Sequence, residues 1–310
     1  MNNNLANIKK SISFLNKNDC VAIPTETVYG LAANAYSNKA VKKIYTLKKR
    51  PKNNPSIVHY SSLNQLKKDC VLNKNFFILY KKFCPGPITF VLKIKKQSQI
   101  SKFVTNNKST LAVRFPKNKT TQKLLNILNY PLAAPSANIS TKISPVSKDD
   151  VKEEFGNKIK FILDGGKSKI GLESTIISLV DKPIILRLGG IERTKINKVL
   201  NKNIKFERKS KKIIAPGQSK LHYSPGIPIK LNTRKSKPNE AFILIKKRKK
   251  SYKNYYYLSK NNDLKQVAKN LYSLLRNIKK EGYKMIAVEK IPNIGIGKTI
   301  NDRLNRASKY

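Results

Sequence analysis

Residues 20–34, CVAIPTETVYGLAAN, decide how the first half of this chain is read. A short apolar run reaches Pro24, then Thr25, Glu26, Thr27 and Tyr29 follow, with Gly30 closing the turn. An apolar run stopped by Pro and a Gly-closed turn reads as a buried β-strand feeding a loop. Open α/β sheets bind ligands outside the carboxyl ends of their strands, so the hydroxyls and the carboxylate gathered here make a candidate ligand wall. The same residues also suit a polar turn capping the next helix, and this segment alone does not choose between the two.

Working outward as far as residue 200, short β-rich runs alternate with helix-period segments. That argues α/β with a mixed sheet rather than a bundle or a sandwich. Strands are expected at 21–23, 56–60, 89–94, 111–115, 132–134, 160–163, 174–180 and 184–188, and helices at 5–16, 39–49, 74–83, 120–128, 148–155 and 191–200. From 201 the chain turns basic and weakly apolar, and residues 215–229, APGQSKLHYSPGIPI, carry the prolines and glycines of a linker. Leu221, His222 and Tyr223 are unusual residues for a spacer. A second, smaller α/β unit follows, with strands at 241–245, 255–258 and 285–288 and helices at 263–279 and 300–308. The expected division is a first domain at 1–205, a linker at 206–229 and a second domain at 230–310.

Lys and Arg total 65 against 17 Asp and Glu, a formal net charge of +48. The lysines are spread through nearly every block of ten beside many Asn and Ile, which points to compositional bias and solvated faces. Attraction to tRNA, to an acidic substrate or to an anionic surface is the competing reading, densest at residues 246–253, KKRKKSYK. Three cysteines without C-x-x-C spacing imply neither a disulfide framework nor a zinc site, and fit a reducing cytoplasm. The start, MNNNLANIKK, lacks the apolar core of a signal peptide, and no run approaches the ~18 apolar residues of a membrane span. A soluble protein with no membrane partner is expected.

Several constellations carry chemistry. The helix at 39–49 has its apolar stripe at Val41, Ile44 and Tyr45, and the next position in that series is Lys48. Arg50 follows and Pro51 stops the helix, so two cations are delivered to a helix end beside the sheet, as a triphosphate would need. An ordinary snorkelling lysine is the competing reading. In residues 133–138, AAPSAN, small residues let backbone approach a ligand while Ser136 and Asn138 offer neutral hydrogen bonds. Arg114 sits inside the apolar run LAVRF and needs a partner there, either a substrate carboxylate or an internal acid such as Glu26 or Glu173. His59, inside SIVHY, reads as a core histidine or as a ligand contact. Glu173, Ser174 and Thr175 open a strand after Gly165 and Gly166, which suit a tight turn or a close phosphate approach. Residues 295–299, GIGKT, imitate the tail of a P-loop, but Pro292 stands where that motif requires Gly, so P-loop chemistry is rejected.

Taken in order, PTETVYGLAANA, KKRPKNNPSIVHY, PGPITFVLK, LAVRFP, AAPSANIS, DGG with ESTI, LRLGGI and APGQSKLHYSPG resemble the Sua5/YciO/YrdC family of L-threonylcarbamoyladenylate synthases. The resemblance covers residues from about 12 to 310, and the linker with its following unit looks like the Sua5 type. It implies a YrdC-like twisted mixed sheet with flanking helices and a Rossmann-like second domain. It implies an enzyme that joins L-threonine and bicarbonate to the AMP part of ATP and releases pyrophosphate, the first step towards the N6-threonylcarbamoyl group of adenosine 37 in certain tRNAs. A separate tRNA threonylcarbamoyl transferase would take the product. By resemblance, Lys48, Arg50, Ser136 and Asn138 bind the nucleotide, with Asn54, Thr110, Ser144 and Arg187 as further contacts. Thr25, His59, Arg114, Ala134 and Ser174 align with the threonine pocket, and Thr25 is the residue of the opening stretch expected to touch substrate. Charge neutralisation by Lys48, Arg50 and Arg187, with Mg²⁺ held mainly by the phosphates, is expected to dominate catalysis. His222 and Tyr223 are expected to reach back over the nucleotide as a lid. Gln218, Ser224 and Ala32 are mild departures from the family pattern. A non-catalytic basic RNA-binding protein of the same fold is the rival reading.

Overall fold

The computed structural model describes residues 2–51, 53–207 and 222–309. Ten strands form the first sheet: β1 (Val21–Ile23), β2 (Gly30–Asn34), β3 (Ile57–His59), β4 (Ile88–Lys93), β5 (Thr110–Arg114), β6 (Leu132–Ala133), β7 (Phe161–Ile162), β8 (Thr175–Ser178), β9 (Ile184–Arg187) and β10 (Lys205–Phe206). Their order is β10-β9-β8-β4-β5-β3-β6-β2-β1-β7. Parallel pairs such as β3 with β5 and β4 with β8 alternate with antiparallel pairs such as β4 with β5 and β2 with β6, so the sheet is mixed. Around it lie α1 (Asn2–Asn16), α2 (Asn38–Lys48), α3 (Leu63–Asp69), α4 (Lys74–Phe83), α5 (Lys102–Thr105), α6 (Lys119–Ile127), α7 (Lys148–Phe155) and α8 (Arg193–Leu200).

Alternation along the central strands sorts their side chains. Val58, Phe90, Leu92, Leu111, Val113, Ile177 and Ile185 face one large core cluster that includes Phe76 and Leu79 of α4 and Ile196 of α8. Ile57, Val91, Ala112, Ile176 and Leu186 line the opposite face. His59 and Arg114 lie two residues beyond Ile57 and Ala112, so they share that second face at the strands' carboxyl ends. A register shift between Ile176 and Ile177 pairs Ile176 with Arg187 and Ile177 with Ile185. Such a bulge re-aims a side chain, and here it puts Arg187 beside Ile176.

Helices α3 and α5 and a strand at Ile229–Lys230 have no counterpart in the sequence reading, and two further segments depart from it. Residues 30–34, read as the end of a turn, form β2, which pairs with β1 on one side and β6 on the other. Ala-rich GLAAN has little strand propensity of its own, and pairing with both neighbours decides its conformation. Residues 205 and 206, placed where the first domain was expected to give way to the linker, add β10 to the sheet edge beside β9. Most of the expected linker, residues 208–221, lies outside the described residues.

The second unit contains β11 (Ile229–Lys230), β12 (Ala241–Leu244), β13 (Tyr255–Tyr257), α9 (Leu264–Lys280), β14 (Ile286–Val288) and α10 (Gly297–Ala307). All its strands are parallel, in the order β11-β14-β12-β13. Ala241, Ile243, Ile286 and Val288 pack with Leu271 and Leu275 of α9 and Ile300 and Leu304 of α10, so both helices cover one face. The same cluster takes in Val28, Ile143, Val146 and Leu172 of the first unit. The two units therefore share a core, which fixes their relative position through buried apolar area. No helix among the described residues is long and apolar enough to cross a membrane.

Candidate active site

A cavity with about 520 Å³ of empty space, counted out to its mouth, opens on the polar end of the second sheet face. Its floor comes from β3, β5 and the residue after β6: Ile57, His59, Arg114 and Ala134. The loop between β1 and β2 forms one wall through Thr25, Thr27 and Tyr29, while Glu173, Ser174 and Arg187 form the other. Arg50 and Ser136 enter from the α2 side, and His222 and Tyr223 close the top.

The wall formed by the opening stretch is built from its own hydroxyls. Thr25 Oγ1 donates to the Val28 carbonyl at 2.6 Å and accepts from the amides of Thr27 and Val28, each at 3.2 Å. This is a side chain mimicking a turn. Thr25 thus lines the cavity as a loop-shaping residue whose hydroxyl is already engaged. The pair Gly165–Gly166 serves this loop too: a Cβ on Gly165 would stand 2.5 Å from the Pro24 ring, and Tyr29 donates to the Gly166 carbonyl at 2.9 Å. Glu26 turns away from the cavity and answers the question posed by Arg114. Its Oε1 pairs with Arg114 Nη2 at 2.8 Å and its Oε2 accepts from the Lys117 amide at 2.9 Å. Arg114 Nε and both ring nitrogens of His59 are buried with no hydrogen-bond partner among the described residues. Burial, then the Arg114 charge, push His59 well below its ordinary pKa, with the Leu132 backbone a weak opposing influence at a geometry too poor for a full hydrogen bond. A neutral imidazole beside a guanidinium leaves two unpaired N–H donors, Arg114 Nε and one imidazole nitrogen, as a seat for a small carboxylate.

At the other end, α2 is capped by Ser37, whose side chain accepts from the Ala40 amide, and stops at Lys49 in the left-handed region (φ 48°). That delivers Lys48 into the interior, 1% exposed, on the buried stripe of Ala40, Val41 and Ile44. Its Nζ donates to the carbonyls of Ser136 and Asn138. An ammonium carries three donors, so a third direction is left. Burial and then Arg50 push the Lys48 pKa well down from the ordinary lysine value. Arg50 donates to Asn54 Oδ1 at 2.7 Å and to the Pro55 carbonyl at 2.8 Å, and burial lowers it to about 10. Arg187 grips the Ser174 carbonyl through Nη2 at 2.9 Å and the Ser174 hydroxyl at 3.1 Å. Three basic side chains converge on one enclosed region, which suits an anion with several phosphate oxygens.

Comparison with known proteins identifies the family. A family model described as telomere recombination, Sua5/YciO/YrdC, matches residues 13–189. The chain belongs to the Sua5/YciO/YrdC family. A second model, described as the C-terminal domain of threonylcarbamoyl-AMP synthase, matches residues 191–309. Threonylcarbamoyl-AMP synthase of Pyrococcus abyssi is 36% identical, covering 98% of this chain and 94% of its own. The Bacillus subtilis protein of the same name is 34% identical over 97% of this chain and 92% of its own. The crystal structure of P. abyssi Sua5 complexed with L-threonine superposes with a TM-score of 0.90 at 33% identity, covering 98% and 94% of the two chains.

Within this Sua5-type chain the structure divides the expected site residues into two groups. Thr25, His59, Arg114, Ala134, Ser174, Arg50, Ser136, Arg187, His222 and Tyr223 all line the one cavity. Lys48, Asn54, Asn138 and Ser144 stand behind it: Asn54 holds Arg50, Asn138 ties the carbonyls of Ile139 and Lys142 at 2.8 Å each, and Ser144 donates to Glu173 at 2.7 Å. Thr110, at the start of β5, pairs with Lys93 of β4 and lies outside the lining. The opening reading left Glu173 as one possible partner of Arg114, but it is a wall residue in its own right. Its carboxylate takes Arg303 Nε at 2.8 Å and the Tyr272 hydroxyl at 3.1 Å, both from the second unit. Burial would raise its pKa, yet Arg303 and then Arg187 hold it down at about 2. The available signal was a charge on an apolar stripe, as with Lys48: Arg303 shares a helix face with Ile300, Leu304 and Ala307. Thr299 of the rejected P-loop imitation donates to the Gly189 carbonyl at 3.2 Å, so that segment is spent on packing the units together.

Proposed function

We propose that the chain makes threonylcarbamoyl-AMP from L-threonine, bicarbonate and ATP, for the N6-threonylcarbamoyl modification of tRNA. The observation that supports this most is the arrangement of one cavity with two chemically different ends. Arg114 and His59 offer unpaired N–H donors for an amino-acid carboxylate at one end, and Arg50 and Arg187 line the other as cations for phosphates, with Lys48 behind them. The threonine amine takes up bicarbonate with loss of water to give a carbamate. A carbamate oxygen then attacks the α-phosphorus, its bond forms as the bond to the pyrophosphate oxygen breaks, and pyrophosphate leaves. No side chain need carry a proton in that displacement, so the work of the chain is orientation and charge neutralisation. His222 and Tyr223 limit water at the top of the cavity, which protects a hydrolysable product.

Among the described residues the lining supplies a single carboxylate, Glu173, already committed to Arg303, Tyr272 and Ser144. The residues therefore fit a Mg²⁺ ion that enters on the triphosphate. The reading includes a cytoplasmic setting and hand-over of the product to a separate transferase. Pyrophosphate release assayed with threonine, with serine and with no amino acid, each with and without bicarbonate, tests the reading. Release is expected only with threonine and bicarbonate together, and Lys48→Ala should abolish it. Tight tRNA binding through the exposed Lys246, Lys247, Arg248, Lys249 and Lys250 with no pyrophosphate under any condition would replace the enzyme by the RNA-binding reading.

A further inference from the structure

The first unit holds every expected threonine and phosphate contact, but the cavity is not finished by it. Arg303, on α10 of the second unit, is 1% exposed and is the largest side chain buried to that degree. Its Nε meets Glu173 Oε2 at 2.8 Å, its Nη2 donates to the Leu188 carbonyl at 2.7 Å, and its Cζ lies 4.7 Å from the centre of the Tyr223 ring. Glu173 and Tyr223 both line the cavity while Arg303 does not. Tyr272, on α9, stacks on Tyr223 with ring centres 6.0 Å apart and donates to the same Glu173 carboxylate. Tyr223 itself is in the left-handed region at φ 65°, a conformation that a bulky residue keeps only when its surroundings impose it.

Apolar packing already docks the two units, through Val28, Ile143, Val146 and Leu172. A buried arginine–glutamate pair adds little net stability to such an interface, because desolvation offsets the Coulomb gain. What the pair does add is a definite charge state and position at two walls. Glu173 is an ionised carboxylate beside a cavity built for anions, and Arg187 is the next cation to feel it. With Arg303 in place, Glu173 is neutralised from behind and Arg187 stays on Ser174, facing the ligand.

We propose that Arg303 is a positioning residue of the active site: it neutralises Glu173 and clamps Tyr223, so that the second unit sets both the charge of the phosphate end and the closure of the cavity. The proposal deepens the function proposed above and rests on it for its ligands. Removing Arg303 leaves Glu173 with only the Tyr272 and Ser144 hydroxyls and no cation behind it, so that its charge repels the triphosphate and draws Arg187 away from it, and frees the Tyr223 ring. The substrate contacts of Arg114 and His59 are untouched.

The test uses the full chain and three variants. Arg303→Met is expected to raise KM for ATP by about tenfold, with a smaller fall in kcat, and to speed hydrogen exchange at residues 187–190 and 222–224 while α9 stays protected. Arg303→Lys, which keeps the charge and loses the fork, should fall between that variant and the parent. Arg303→Met with Glu173→Gln should recover most of the lost ATP affinity, because the repelling charge is gone. Unchanged exchange at both segments in Arg303→Met, or a double variant as impaired as the single at equal melting temperature, overturns the proposal. If the parent chain releases no pyrophosphate with threonine and bicarbonate, the proposed function fails instead, and the exchange arm still decides whether Arg303 holds the two walls.

Discussion

Two buried arginine–glutamate pairs flank the cavity, and they are turned opposite ways. In Arg114–Glu26 the cation lines the cavity and the acid stands behind it, with the pair closed at 2.8 Å inside the first unit. In Arg303–Glu173 the acid lines the cavity and the cation stands behind, again at 2.8 Å but across the two units. The first pair presents charge to a ligand, and the second removes it from the ligand's path. Similar side chains at one distance thus do opposite jobs, decided by which partner faces the open space.

The largest effect should come from reversing the first pair. Arg114→Met removes the cation seen by the ligand and strands Glu26 in the interior. Breaking such a pair on one side costs about 3–5 kcal/mol, so a fall in melting temperature should accompany loss of threonine-dependent pyrophosphate release by roughly a thousandfold. Retained nucleotide binding by calorimetry would confirm that the loss is local to the amino-acid end. A chain that kept full threonine dependence after this change would show that Arg114 is structural only, and the comparison would collapse.

Glu26→Gln sharpens the contrast from behind. Arg114 keeps its charge but has its ion pair reduced to a neutral hydrogen bond, and a rise of about tenfold in KM for threonine with little change in KM for ATP is expected in steady-state kinetics. Arg303→Met should show the mirror pattern, with the larger rise in KM for ATP.

The pH dependence separates the pairs further. Glu173 is held at about 2, below the ordinary carboxylate value of 4.5, so its contribution to stability is complete above pH 4.5 and is lost only as pH falls from there towards 2. His222 is also depressed, to about 3 from 6.5, chiefly by burial, with Glu173 opposing. Its closed position therefore excludes a proton: the penalty is absent above pH 6.5 and grows below it by about 1.4 kcal/mol per pH unit until about pH 3. The melting temperature should therefore fall as pH drops below 6.5, by no more than that slope, and His222→Asn should flatten the fall. A melting temperature independent of pH between 5 and 7 would mean that His222 is not held buried in the folded chain.

The smallest effect is expected at Thr25. Thr25→Ser keeps the hydroxyl that shapes the loop and should change activity less than about threefold, whereas Thr25→Val loses that turn bond and should cost about 1 kcal/mol of stability in a denaturant melt.

Much of this was written in the order of residues. Period-2 and helix-period runs placed most strands and helices, because side-chain alternation and the 3.6-residue repeat act locally. The stop at Pro51 and the apolar stripe of α2 were enough to send Lys48 inward, and the small residues of AAPSAN marked a close backbone approach. GLAAN could not be read as a strand, since nothing local favours extension there and one of its two neighbours, β6, comes from about a hundred residues away. Nor could local pattern tell that Thr25 spends its hydroxyl on its own loop, or that Lys48, Asn54 and Ser144 support the cavity from outside. The sequence by itself determined which charged and polar residues are brought to the strand ends. Only the tertiary structure decided which member of each buried pair faces the ligand, because that choice depends on where two units separated by 130 positions between Glu173 and Arg303 meet and share a core.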